Sequence, residues 1–303
     1  MSTESNSLKE HQPSMNVDEQ IENLRSKGLI INDMEYARSI LRDFSYFRLI
    51  KGYSLGLKVK NGNYYDNISF EDIVQLYYFN SELRSILYPQ IEHIEIVLRS
   101  RISTYFCEKY GVLGYTDKDN FSISDNDFEI FSEELQREVA RNARKPYIKN
   151  FQTGYIGGQI PLYALVEVIS FGTLSKFYKN MKNEDKKAIS SQYGINFIYF
   201  QSWLENLSYI RNICAHYGRL YYVKMTKIPR LYKPYIKEGI SNVRFFATLL
   251  VIKHLMQNQK QWHNFIQTLE LLIREYPCVR LNYIGFPKNW TDMLKREETA
   301  NKK

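Results

Sequence analysis

The apolar residues within 70–109 recur with the period of an α-helix, and this long stretch constrains the fold more than any other feature of the sequence. Ser69 and Asp72 form a helix start signal, a capping box with Asp in place of Glu, and Gly111 follows the end of the stretch. Pro89 lies inside it and predicts a kink or a division into two helices. The second half carries one apolar stripe, which consists of Ile91, Ile94, Val97, Leu98, Ile102 and Phe106.

Helical spacing dominates the rest of the chain as well. A helix over residues 17–27 ends before Gly28, and Asp33 caps a second one. The same spacing predicts helices at residues 126–143, 162–179, 196–217, 241–257 and 262–276. Only residues 46–57 and the turn at residues 61–63 resemble strand material. We therefore expect a mainly α fold, a helical bundle with an N-terminal helical extension and little or no β structure.

Composition separates two polar ends from the rest of the chain. Residues 1–16 and 296–303 are rich in Ser, Asn, Glu and Lys and lack periodicity, which is typical of flexible tails. Between them we expect an N-terminal helical extension at residues 17–68 and a helical domain at residues 69–295, which carries the functional motif described below.

The net charge of +8, from 41 basic and 33 acidic residues, favours a polyanionic partner. Cys107, Cys214 and Cys278 are odd in number and far apart, so the sequence predicts neither a disulfide framework nor a zinc site and indicates a reducing compartment. The N-terminus lacks the layout of a signal peptide, and no apolar run approaches the roughly 20 residues that span a bilayer. We expect a cytoplasmic protein without a membrane partner.

The segment RNICAHYGRL, residues 211–220, gives the strongest indication of function. On a helix, Asn212 and His216 lie four residues apart on one face, whereas Cys214 belongs to the apolar stripe on the other side. This spacing predicts that Cys214 fills the core and that the amide and the imidazole project away from it. We expect Gly218 to end the helix.

Arg211 lies beside this polar face, and its side chain is long enough to reach the same opening. A guanidinium matches the oxygens of a phosphate, and an imidazole exchanges protons near neutral pH. The pattern therefore predicts a site for cutting phosphodiesters, with Arg211, Asn212 and His216 as catalytic residues. The alternative is a structural salt bridge at the end of the helix, from Arg211 to Glu205.

Residues 219–237 combine basic residues with tyrosines and contain no acid. Cations bind phosphates and aromatic rings stack on bases, which are the two components of single-stranded RNA binding. We therefore predict an RNA-binding surface made of Arg219, Lys224, Lys227, Arg230, Lys233, Tyr221 and Tyr222. The alternative is a solvated loop in a Tyr-rich protein. The basic run at residues 141–145 either extends the RNA surface or is a charged helix end.

Four ordered blocks carry a resemblance to a known family: IENLRSKGLII with FSYFRLIKGY, LYYFNSELRSILYPQIEHIEIVLRSRIS, EVISFGTLSKFY, and SWLENLSYIRNICAHYGRLYY. With them the chain resembles the Abi-like proteins of bacterial abortive infection, of the AbiD and AbiF type, in the HEPN superfamily. The last block resembles the HEPN nuclease signature of arginine, polar residue, spacer and histidine, here Arg211, Asn212 and His216. The family pattern has another histidine where this chain has Tyr217, and Trp or Phe where Tyr221 stands.

The resemblance implies a HEPN-type helical bundle and an anti-phage, toxin-like endoribonuclease that needs neither a metal nor a cofactor. One histidine does not easily serve both as base and as acid on opposite sides of a phosphorus. No second arginine stands at a matching distance from the other histidines, which are His11, His93, His254 and His263. HEPN nucleases pair two signatures across a dimer, so we expect a homodimer with both copies of Arg211 and His216 in one cleft.

Other functions remain open at this point. A non-catalytic RNA-binding HEPN module would use Arg211 and His216 only to grip phosphate and would partner a small noncoding RNA. Some members of the family resemble proteins that partner a small noncoding RNA, and such an RNA would act as an antitoxin. A protein-interaction scaffold is a third interpretation, and only nucleic-acid binding should weaken steeply with salt.

The cluster IEHIEI in the long helix does not predict a metal site. Glu92, His93 and Glu95 point in different directions on a helix, and the sequence offers no further ligand nearby. Glu95 and Arg99, four residues apart, are expected to form an ion pair on the helix surface.

Overall fold

Helices account for the regular structure of residues 13–296, the part of the chain that the computed structural model describes. Within this range the backbone forms no strand, only isolated bridges such as Lys58 with Tyr64. The prediction of a mainly α fold is confirmed. Most of the predicted polar tails at residues 1–16 and 296–303 lies outside the described residues. The described chain divides after Phe79 into two compact units.

The first unit begins with two short helices, α1 (Val17–Ser26) and α2 (Met34–Asp43). Asn16 caps α1 in a capping box with Glu19. Asp33 caps α2, as the sequence predicts. The expectation of strand material at residues 46–57 is wrong, because Phe47–Lys51 forms a short π-helix instead.

Helix α3 (Phe70–Tyr110) is the long helix that the periodicity predicts. The capping box at its start is present: the amide of Ser69 donates to the Asp72 carboxylate (2.8 Å) and the amide of Asp72 to the Ser69 hydroxyl (3.1 Å). Pro89 lies inside a single helix, so the expected division into two helices does not occur. A proline inside a helix costs about 3 kcal/mol, and the burial of the stripe from Ile91 to Phe106 offsets it. The division into two units falls inside α3, and the boundary after residue 68 stays a prediction.

The second unit contains the remaining α-helices. They are α4 (Asp125–Arg141), α5 (Pro146–Gly154), α6 (Leu162–Leu165), α7 (Phe171–Asn180), α8 (Asn183–Ser191), α9 (Phe197–Ala215), α10 (Lys233–Lys237), α11 (Phe246–Leu255), α12 (Gln259–Glu275) and α13 (Trp290–Lys295). Helix α9 packs against α7, α8 and α11, and α11 is buried over most of its surface. No helix of residues 13–296 is both long and apolar enough to cross a membrane.

The helix predicted over residues 162–179 is interrupted between α6 and α7, which corrects the sequence interpretation. The guanidinium of Arg99 on α3 donates to the carbonyl oxygens of Val166 and Ile169, the latter at 2.8 Å. Ser170 then caps α7 by accepting the amide of Thr173. A cation from another helix thus satisfies the carbonyls that a continuous helix would have used itself.

Candidate functional site

Helix α9 presents the predicted polar residues at its exposed C-terminal end. Asn212 and His216 are exposed, whereas Trp203 and Cys214 on the opposite stripe are 1% and 7% exposed. The amphipathic reading of this helix is confirmed. Burial raises the pKa of the Cys214 thiol to about 12, so it is protonated at neutral pH and fills the core rather than acting as a nucleophile.

The helix ends in a Schellman motif directly after the imidazole. His216 is the C-cap, and Tyr217 adopts the left-handed conformation with φ of 57°. The amide of Gly218 donates to the carbonyl of Ile213 at 2.7 Å, and that of Tyr217 donates to Cys214 at 3.3 Å. Gly218 was expected to be the terminator, but the left-handed residue is Tyr217.

Gly218 is needed for a different reason, which is close packing. A Cβ atom at this position would lie 2.9 Å from Cγ2 and 3.1 Å from the carbonyl oxygen of Ile213. We therefore expect Gly218→Ala to lower the free energy of unfolding by about 1–3 kcal/mol, as overpacking does, in urea denaturation. Gly172→Ala in α7 is the matched control, because its Cβ meets only the Ser170 hydroxyl at 3.7 Å. The control should gain about 0.5–1 kcal/mol, and equal behaviour of both variants would contradict this packing argument.

The chain after His216 is held by two polar side chains of α3. Asn80, which is 0% exposed, accepts the amides of Leu220 (2.7 Å) and Tyr221 (3.0 Å) and donates to the carbonyl of Gly218 (3.3 Å). Arg84, 6% exposed, donates to the same carbonyl at 3.0 Å. These hydrogen bonds fix the chain directly after His216, because their partners are backbone groups of Gly218, Leu220 and Tyr221.

Arg211 lies against a buried carboxylate of the same long helix. Its Nε is 3.5 Å from Oε2 of Glu95, whose other oxygen accepts from Arg99. The Nη1 atom of Arg211 also donates to Oδ1 of Asn212 at 3.3 Å. The Arg211 side chain stays 29% exposed, while those of Glu95 and Arg99 are 9% and 12% exposed. One carboxylate therefore contacts two guanidinium groups, so the three side chains together have a net positive charge. Arg211 is the most exposed of the three.

Two ion-pair expectations need correction. The alternative partner for Arg211, Glu205, instead lies 4.0 Å from Lys179. Glu95 and Arg99 do form a pair, but it is buried and not on the helix surface. The ion pair at Arg211 exists, yet its acid comes from a distant part of the chain.

Sequence reasoning missed Asn80 and Arg84 and misjudged Glu95. A signal was present, since Asn80, Arg84, Glu95 and Arg99 recur at helical spacing and share one side of α3. Polar residues on a single stripe of a helix that is otherwise core material indicate a buried polar network.

The predicted RNA-binding segment is only partly available to a ligand. Lys224, Lys227, Arg230 and Lys233 are exposed, and Arg219 is half-buried. The prediction that the ring of Tyr221 stacks on RNA is wrong. Tyr221 is 1% exposed, and its hydroxyl accepts a hydrogen bond from the amide of Arg280 at 3.2 Å. Tyr222 is half-buried, and its ring lies 4.8 Å from that of Tyr283.

No cluster of three or more His, Cys, Asp or Glu side chains that could hold a metal ion occurs within residues 13–296. The groups gathered at the end of α9 are instead a guanidinium, an amide and an imidazole. Such groups bind an anion and move a proton.

Comparison with known proteins identifies a family. The sequence profile of a family described as "Abi-like protein" matches residues 39–222, a range that includes the whole arrangement around Arg211 and His216. No curated protein and no solved structure matches the chain.

Proposed function

Because the chain belongs to the family of Abi-like proteins, we propose that it acts in abortive infection as a toxin-like endoribonuclease of the HEPN type. The reaction is metal-independent cleavage of RNA through attack by the 2′-hydroxyl, in the cytoplasm of an infected cell. Arg211, Asn212 and His216 are the residues that perform it.

The observation that carries this proposal is that the exposed Asn212 and His216 and the partly exposed Arg211 stand at the end of α9 on a rigid support. Arg211 lies against the buried Glu95, and the turn after His216 is held by the buried side chains of Asn80 and Arg84. Catalytic groups work best when their supporting contacts fix them before the substrate binds.

The chemistry follows from the groups present. The imidazole of one His216 takes the proton of the 2′-hydroxyl, and the freed oxygen attacks the adjacent phosphorus. The bond from phosphorus to the 5′-oxygen breaks, and that oxygen receives a proton. Arg211 binds the phosphate and offsets the charge that builds on it, while Asn212 holds the guanidinium through its Oδ1 atom. The products are a 2′,3′-cyclic phosphate and a 5′-hydroxyl, and DNA is spared because it lacks the attacking group.

Within residues 13–296, helix α9 carries a single imidazole, His216, at this end, so we assign the base and the acid to two copies. The proposed assembly is a homodimer in which both His216 side chains flank one phosphate. The exposure of His216 and of Asn212 beside it supports this arrangement, because a second chain can approach that end of α9.

We expect purified protein to cleave single-stranded RNA in the presence of a chelator and to leave a DNA strand of the same sequence intact. The measurement is mapping of the RNA ends, which should carry cyclic phosphates and 5′-hydroxyl groups. Cleavage that stops when metal is removed, or ends with 5′-phosphate, would contradict the mechanism.

Sedimentation of the same sample tests the two-chain site, because an active monomer is incompatible with it. The alternative function, a non-catalytic module that binds a small noncoding RNA, predicts tight RNA binding with no new ends at any protein concentration.

A further inference from the structure

The sequence between Glu138 and Glu167 contains no acidic residue, and the structure exposes every basic residue in it. These residues are Arg141, Arg144, Lys145 and Lys149. None of the four has an ion-pair partner in the described part of the chain. Exposed cations without a protein carboxylate beside them are suited to neutralise phosphates.

Aromatic rings are exposed in the same segment. Tyr147, Tyr155 and Tyr163 are 38%, 57% and 54% exposed. The rings of Tyr155 and Tyr163 gather around Phe151, with centroids 5.0 Å and 6.3 Å from it. The rings at 219–237 include the buried Tyr221, whereas the segment at 141–163 offers exposed cations and exposed rings together. We call residues 141–163 the α5 segment.

The backbone of the α5 segment is anchored. Ile148, Ile160 and Leu162 are buried, and Gly157 and Gly158 form a tight turn at positive φ. A preformed surface loses little conformational entropy when a ligand binds.

A cavity of about 440 Å³ opens between α4 and the α5 segment. The amide side chains of Gln136, Gln152 and Gln159 stand at its exposed rim, and Leu135 and Leu165 form part of its buried lining. Amides hydrogen-bond the edges of bases, and an apolar floor accepts the flat face of a ring. This chemistry fits an unpaired nucleobase better than an acidic peptide.

Buried contacts connect the end of the α5 segment with Arg211. Tyr163 precedes Val166 by about one helical turn, and the carbonyl of Val166 accepts from Arg99. Arg99 and Arg211 share Glu95. We propose that the α5 segment is the surface that binds single-stranded RNA. This inference rests on the proposed function for its substrate, but binding can be measured without cleavage.

The test uses full-length protein that carries His216→Ala, so that the RNA stays intact. Reversal of the charges in Arg144→Glu, Lys145→Glu and Lys149→Glu together should weaken binding of an RNA oligonucleotide of about 16 nucleotides. The expected loss is about tenfold or more, and the slope of log affinity against log salt should fall by about 2, since each lost phosphate contact contributes about 0.7. The comparison variant is Lys224→Glu, Lys227→Glu and Lys233→Glu, which makes the same charge change on the other exposed basic segment and should lose less RNA affinity than the α5 variant.

The stacking contribution has its own pair of variants. Tyr155→Ala should weaken binding about 5- to 150-fold, whereas Tyr155→Phe should bind as the parent does, because it keeps the ring. All of these side chains are exposed, and circular dichroism verifies that each variant is folded.

If the triple variant at Lys224, Lys227 and Lys233 loses as much RNA affinity as the α5 triple variant, or more, the inference is overturned. So does an α5 variant that keeps its RNA affinity while a protein partner dissociates from it. Binding that depends on the α5 segment in a protein that never cleaves RNA would leave this inference standing and remove the nuclease proposal. Cleavage by a protein whose RNA affinity does not change with these charges would remove this inference and leave the nuclease proposal standing.

Discussion

Replacement of His216 by alanine should lower the rate of RNA cleavage by a factor of about 10² to 10⁴, the range that general acid–base catalysis contributes. The imidazole is exposed at the end of α9, so its removal should leave the fold intact. RNA affinity should fall little, because the cations that bind phosphate are still present. Growth inhibition on expression of the protein should disappear together with the cleavage, and the rate of appearance of cyclic phosphate ends is the direct measurement.

His263→Ala is the control for this prediction, because His263 is also exposed but lies on α12. It should cleave RNA at the rate of the parent protein. Arg211→Ala should lose about as much activity as His216→Ala, and the double variant should lose little more, since groups that act as a unit are not additive. If the His216→Ala protein still cleaves RNA at the rate of the parent, the imidazole is not the catalytic base or acid.

Replacement of Glu95 by glutamine should have the largest effect on stability. It removes the carboxylate between Arg99 and Arg211 and leaves a buried guanidinium without its acid. Loss of one partner of a buried ion pair costs about 3–5 kcal/mol, a large share of the about 5–15 kcal/mol that keeps a domain folded. Urea denaturation should show this loss, and RNA cleavage should fall as well because Arg211 is no longer positioned.

Glu92→Gln is the matched control for Glu95→Gln, since it makes the same change of charge on an exposed position of α3. It should change the free energy of unfolding by less than about 0.5 kcal/mol, as surface substitutions do. A Glu95→Gln protein that is as stable and as active as the parent would show that the Arg99–Glu95–Arg211 contact is dispensable.

Much of the local structure could be predicted from short-range patterns. The capping box of α3 and the apolar stripes of α3 and α9 involve residues within about one or two turns of each other, and the structure contains them. The exposure of Asn212 and His216 followed from the same periodicity. Prediction was poorer where a distant residue intervened: the carbonyls of Val166 and Ile169 bond to Arg99, so the helix predicted over residues 162–179 is interrupted.

The sequence by itself determined that this chain is helical and that an arginine, an amide and a histidine stand at the end of one amphipathic helix. These properties depend on the spacing of neighbours along the backbone, which is fixed by the 3.6-residue turn. Only the tertiary structure decided that Glu95 is the acid beside Arg211 and that Tyr221 is buried while Tyr155 is exposed. Burial and ion pairing depend on which distant segments pack together, and residue spacing within one helix does not contain that information.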